Sequence, residues 1–194
     1  MTELAIPRSL RRGLPVGWWG MAMLIASEGM LFAAFIASYY YLRFRSPAWP
    51  PPGIPQPAVW PPLALVLVLA TTSLPMQLAA GAARAGRARQ VQLLVLAALI
   101  VQAGYFAFEI HLYLDDLGKF TPHTHAYGSL YFLLLGADHG HVALGLLLDV
   151  WLLGKLVGGM TPYRRKATQA IALYWHAVNL LTLVVIGTIL SAAV

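Results

Sequence analysis

Apolar side chains along this chain gather into five runs, about 18–42, 59–82, 91–114, 127–153 and 169–193, separated by short polar segments. Each run is long enough to cross roughly 30 Å of hydrocarbon, which takes about 20 helical residues. A backbone in lipid must satisfy its own hydrogen bonds, so each run predicts an α-helix. Residues that helices seldom continue through stand between them: Pro15, the string Pro50-Pro51-Pro52-Gly53, Gly86 between arginines, Pro122 and Pro162. Pro75 falls inside the second run and predicts a kink, because proline removes one backbone hydrogen bond and crowds the preceding turn. No internal repeat divides the chain. The pattern therefore predicts an all-α fold, a polytopic bundle of five transmembrane helices forming one domain over residues 1–194. The segment before the first run is hydrophilic and that run already has full spanning length, so the N-terminus is expected to be retained rather than cleaved as a signal peptide.

Composition sharpens this picture. With 59% hydrophobic and 10% charged residues, the chain cannot be a water-soluble globular domain. It contains no cysteine, which excludes disulfide frameworks, iron-sulfur ligation, cysteine-type zinc, thiolate-bound copper and c-type haem attachment. The net charge of +6 does not point to nucleic acid, because the basic residues sit in clusters between apolar runs. Alternate loops differ sharply in those clusters. One side holds ten, namely Arg8, Arg11, Arg12, Arg84, Arg87, Arg89, Lys155, Arg164, Arg165 and Lys166, and the other holds three, Arg43, Arg45 and Lys119. Positively charged flanks resist translocation, so the N-terminus is expected in the cytoplasm and the C-terminus outside. The outer loops are then Ser46 to Pro57 and Asp115 to His125, with Trp18, Trp19, Tyr39, Tyr40, Tyr41 and Trp60 as interfacial belt residues.

Ionisable groups inside the spans are costly and thus the first functional candidates: Glu28, Glu109, Asp138, His139, His141, Asp149 and His176. At 1.5 Å per residue, Glu28 and Asp138 both fall near mid-depth, where they could meet. Asp138, His141, Gly145 and Asp149 recur at helical spacing and share one face. His139 is turned about 200° from His141, so the two cannot chelate one ion from an unbroken helix. His176 and Asn179 share a face, as do Gln102, Tyr105, Glu109 and Tyr113, so the bundle is expected to have a polar interior seam. Interhelical hydrogen bonding explains most of these groups, with Glu109 and Asp149 close enough to the ends to reach water. Glu28 is the exception, a mid-depth carboxyl expected to be titratable or to lie beside protonated His141. His123 and His125 lack a third ligand, Met21, Met23 and Met30 read as packing residues, and only His141 with His176 could serve as a haem pair, so no metal site is expected.

Five short stretches follow one another in order over nearly the whole chain: Ser27-Glu28 followed by Gly29-Met30-Leu31-Phe32-Ala33, then Trp49-Pro50-Pro51-Pro52-Gly53-Ile54, then Tyr127-Gly128-Ser129 opening the fourth helix, then Gly136 with His141-Val142 and Gly145, and last Tyr174-Trp175-His176. In this order they resemble subunit III of the haem-copper terminal oxidases. The first resembles the family's Ser-Glu and aromatic pattern and the second is similar to its outer Trp-Pro-Pro loop. The fourth has the family's spacing, and the last resembles its Tyr-Trp-His. The chain departs from the family pattern at Asp138-His139 in place of His-Gly, at Asn179 in place of Asp, at Thr182 in place of Trp, and around Glu109, Leu112 and Tyr113.

The resemblance implies a non-catalytic core subunit of a respiratory cytochrome c oxidase, in the short five-helix bacterial form, with no catalytic residues of its own. Such a subunit would bind phospholipid but no cofactor, pack beside subunits I and II, which would carry haem and copper, and join a respiratory supercomplex in a bacterial cell membrane. It would stabilise the catalytic subunit and support proton uptake. Glu28 and His141 carry over as a carboxyl and its polar partner, with Asp138, His176 and Asn179 in the surrounding network. Trp49, Tyr127 and Gly145 carry over as structural markers. An accessory subunit of a nitric oxide reductase and a quinol oxidase subunit III remain open, as do an independent proton transporter using Glu28, Asp138 and His141 and a haem-binding anchor.

Overall fold

The structure, a computed structural model, describes residues 16–193. Arg8, Arg11, Arg12 and Pro15, and with them the expectation of a retained N-terminal segment, lie outside the described residues. Six α-helices follow in order: α1 Val16–Arg45, α2 Trp60–Thr71, α3 Ser73–Arg84, α4 Ala88–Lys119, α5 Ala126–Leu156 and α6 Pro162–Leu190, with a 3-10 turn over Ser191–Ala193. Taken together, α2 and α3 form one span, so five helical segments are long and apolar enough to cross a membrane.

The second span breaks where a kink was expected. Pro75 has no N–H to donate to the carbonyl of Thr71, the residue four before it, and α2 ends at that residue. Thr72 bridges the gap, its N–H turning to Leu69 O at 2.9 Å while its own carbonyl accepts from Met76 N at 3.2 Å. The turn from α3 to α4 is a Schellman cap, with Gly86 N to Ala83 O at 3.0 Å and Arg87 N to Ala82 O at 3.0 Å. Gly86 occupies φ +76°, which a side chain would strain.

Several boundaries move outward from the apolar runs, because a helix continues as long as its backbone bonds do, whatever its side chains. Pro162 begins α6 rather than separating it from α5. It sits in the first turn, where its missing N–H costs nothing, behind Thr161, whose hydroxyl accepts from Arg164 N at 3.2 Å. The basic cluster Arg164, Arg165 and Lys166 is thereby helical. Likewise Asp115, Asp116 and Lys119, assigned above to an outer loop, form the last turn of α4, where Lys119 reaches Asp115 at 2.6 Å and Asp116 at 2.9 Å.

The α2/α3 span, α4, α5 and α6 close into a ring in which each packs on its neighbours, and α1 lies outside it against α5 and α6 alone, among the described residues. Only 6% of the most apolar stretch of α1 is buried. Met23 and Met30, expected to pack, point outward instead. Tyr39 does the reverse. It was expected at the interface and is wholly buried, because the Trp49 loop folds over it.

One end of the bundle carries Arg43, Arg45 and Lys119, and the other carries Arg84, Arg87, Arg89, Lys155, Arg164, Arg165 and Lys166. The ring core at the basic end is built on small residues of α3, Ala79, Ala80 and Ala83, against Val91 and Val95 of α4 and Trp175 of α6. At the other end an aromatic cluster takes over, with Trp49 edge-on to Tyr39 at 5.3 Å and to Tyr127 at 5.1 Å.

Candidate functional site

A groove of about 340 Å³ runs between α1, α5 and α6, walled by Leu24, Ile36, Leu144, Leu181 and Val184 and carrying three polar side chains, Glu28, His141 and Tyr174. Helix α1 supplies Glu28, and α5 supplies His141 from the facing side. Their Oε2 and Nε2 atoms stand 3.3 Å apart. The other ring nitrogen, Nδ1, lies 2.8 Å from Ala137 O, an acceptor only, so Nδ1 carries a hydrogen. The Nε2 to Oε2 contact is thereby left as the polar link between α1 and α5 across the groove. Tyr174 secures the backbone beneath by donating to His141 O at 2.8 Å, and Phe32 meets the imidazole edge-on at 5.3 Å.

Glu28 differs from its expectation in not being fully buried: a third of its side chain is exposed to the groove, because α1 stands outside the ring. Its neighbour is His141, the partner that the resemblance named, and not Asp138, which depth alone allowed it to meet. That aspartate is turned to the interior, 1% exposed, where Thr182 of α6 donates to it at 2.8 Å.

The single network of Glu28, His141, Asp138, His176 and Asn179 anticipated above is divided into three. Glu28 and His141 face the groove, and Asp138 and Thr182 join α5 to α6. His176 and Asn179 turn to the break in the second span, His176 bonding Gln77 at 3.1 Å and Asn179 donating to Ser73 at 2.8 Å and Thr72 at 3.3 Å. Gln102 of α4 reaches the same Thr72 hydroxyl at 3.5 Å. These polar atoms gather where the proline interrupts the helix, and they hold the interrupted span to α4 and α6. His141 and His176 point at different helices, so they do not form an axial pair. Thr72, Ser73 and Gln77 are functional neighbours that hydropathy did not mark, because each lies inside an apolar run. The Thr71-Thr72-Ser73 triplet just before Pro75, in the middle of an apolar run, was the signal available.

Glu109 and Asp149, expected near enough to the ends to reach water, are 4% and 0% exposed, so neither lies on the outer surface of the bundle. Helices α4 and α5 both sit in the ring, and rotation about their axes turns these carboxyls inward rather than along the surface. His139 also turns inward, its ring 5.4 Å from Tyr113, away from His141. Among the described residues no three His, Asp or Glu side chains are grouped to hold a metal.

Gly145, Trp49 and Tyr127 are places of close approach. A Cβ on Gly145 would lie 2.6 Å from the Trp175 ring, so the glycine lets α6 lay that indole flat on α5. Trp49 and Tyr127 pack together with Tyr39, pinning the loop after α1 to the start of α5. Gly128 admits the Thr121 carbonyl at the same place, while Ser129 donates to Pro122 O at 2.5 Å.

Five helical segments of membrane-spanning length and apolarity, packed around buried polar side chains, define a polytopic helical membrane protein. The family described as cytochrome c oxidase subunit III matches residues 8–190, and the chain belongs to that family. Relatives named cytochrome c oxidase subunit 3 include those of Triticum aestivum, 28% identical over 85% of this chain and 64% of the relative, and of Synechocystis sp., 26% identical over 86% and 71%. The protein of Bacillus sp. (strain PS3) is 28% identical over 84% of this chain and 78% of its own length. The chain thus spans a little under two thirds of the plant relative it matches.

Proposed function

We propose that this chain acts as subunit III of a respiratory haem-copper oxidase, a cytochrome c oxidase reducing oxygen to water with proton pumping, and that it is non-catalytic. The observation that carries the reading is the family match over residues 8–190. The chain would pack beside subunits I and II, on which haem and copper would reside, and stabilise the catalytic subunit while supporting proton uptake. The groove between α1, α5 and α6 suits a phospholipid acyl chain, since its walls are apolar apart from Glu28, His141 and Tyr174. The exposed face of α1, with Trp19, Met23, Met30 and Phe44 outward, is one that lipid or a partner helix would cover. The chain would sit in a bacterial cell membrane. Arg84, Arg87, Arg89, Lys155, Arg164, Arg165 and Lys166 at one end favour a cytoplasmic N-terminus and an outer C-terminus.

The test is to tag the chain, solubilise the membrane gently, and take a subunit inventory with a reduced-minus-oxidised spectrum. A copurifying haem-bearing subunit with copper is the expected outcome. A nitric oxide reductase in its place, or a colourless chain alone, would overturn the reading.

A further inference from the structure

A second cavity opens at the Trp49 end of the bundle and shares no lining residue with the groove. It holds about 160 Å³, bounded by Pro57, Ala58, Pro61 and Pro62, by the last turns of α4 and α6, and by the first turns of α5. Water takes about 30 Å³ per molecule in the liquid, so several fit. At its mouth lie Asp115, Asp116 and Lys119, and Asp116 is bound from the inner side by the Tyr131 hydroxyl at 2.5 Å. At its floor lies Glu109. That carboxyl is 4% exposed and borders the cavity, while its Oε1 is sealed from the cavity and has no hydrogen-bond partner in the protein.

A buried carboxylate oxygen without a donor is costly. Water in the cavity does not reach that oxygen, a neutral protonated carboxyl costs far less there than a carboxylate, and the cavity borders the same side chain. The walls favour a cation: three carboxyls face a single ammonium. They do not favour a metal ion, because no group of three ligands with suitable geometry is present among the described residues. We propose that Glu109 is a protonatable site served by water from this end of the bundle, the cavity being its access path and a proton its ligand. The titratable groups around it are Tyr105, Tyr113 and Asp116 on its own helix and Tyr131, Asp138 and His139 on α5. Helix α6 and the proline loop contribute only apolar wall, through Ile186, Ile189 and the prolines. The site is separate from the Glu28 and His141 groove and does not depend on which partner the chain assembles with.

The test uses the full chain, in whatever complex it copurifies with, in nanodiscs with both faces open to buffer. It is treated with a water-soluble carbodiimide and glycine ethyl ester, and the adducts are mapped by peptide mass spectrometry. The expected result is an adduct on Glu109 that forms faster at lower pH, since carbodiimides activate the protonated acid, together with adducts on Asp115 and Asp116. In Ala58→Trp, which fills the mouth from an exposed loop position, the Glu109 adduct is lost and that on Asp115 stays. Glu109→Gln identifies the peptide. Labelling of Asp115 without Glu109, equal labelling in Ala58→Trp, or labelling of Glu109 only by lipid-soluble dicyclohexylcarbodiimide would each overturn the access path. Protection of Glu109 by magnesium or zinc would overturn the choice of a proton.

Discussion

Gly145→Ala isolates the close approach on which the contact between α5 and α6 rests. The added Cβ would stand 2.6 Å from Cζ2 of Trp175 and 2.9 Å from Cε2 and Cη2, closer than carbon atoms pack. Trp175 is 0% exposed, so its ring cannot swing away without moving something else. Forcing one extra carbon into such a site costs about 1–3 kcal/mol. Against this, alanine is favoured over glycine in a helix by about 1 kcal/mol. Gly140→Ala on the same helix removes the ambiguity, because its Cβ would meet nothing within 4 Å. The helix-propensity gain is common to both variants, so their difference reports the overpacking alone and is expected at about 1–3 kcal/mol. The assay is equilibrium unfolding in mixed micelles, followed by tryptophan fluorescence. A shorter ring at the contact should relieve the clash, so Gly145→Ala with Trp175→Phe should be more stable than the two single losses added together. If Gly145→Ala proves as stable as Gly140→Ala, the close approach does not constrain the two helices and the reasoning fails.

The remaining expectations concern other contacts. Gly128→Ala would set a Cβ 2.5 Å from the backbone oxygen of Thr121, which cannot rotate aside, so it should destabilise by about 1–3 kcal/mol and loosen the 121–125 loop, read as new protease cleavage there. Thr182→Val removes the donor to buried Asp138 at nearly constant volume and should cost about 1–3 kcal/mol, while Thr182→Ser should recover most of it; equal stability of all three would show the bond to be unimportant. Glu28→Gln keeps a hydrogen-bonding group opposite His141 in a partly exposed pair, so stability should change by less than about 1 kcal/mol. Carbodiimide labelling at that position should vanish and the complex should lose activity sooner during turnover; no change in either would remove Glu28 from the functional site.

Hydropathy along the chain determined the number of spans, their approximate positions and the basic asymmetry between the two ends, because the cost of placing a residue in lipid is local and adds up along a segment. Pro75 marked its interruption for the same reason, since a missing N–H is a property of one residue. The order of short motifs carried the family. What hydropathy could not determine is how each helix is turned about its axis. In lipid the outward face is as apolar as the inward one, so periodicity does not separate Met30, which faces out, from Phe32, which is 1% exposed. Only the tertiary structure decided that α1 lies outside the ring, leaving Glu28 one third open to a groove with His141 as its partner. Only it turned Glu109 and Asp149 inward and drew Asn179 and His176 to the break before Pro75. The physical reason is the same in each case. A polar side chain in hydrocarbon takes the partner that helix packing brings within about 3 Å, and that neighbour belongs to another helix, distant along the chain.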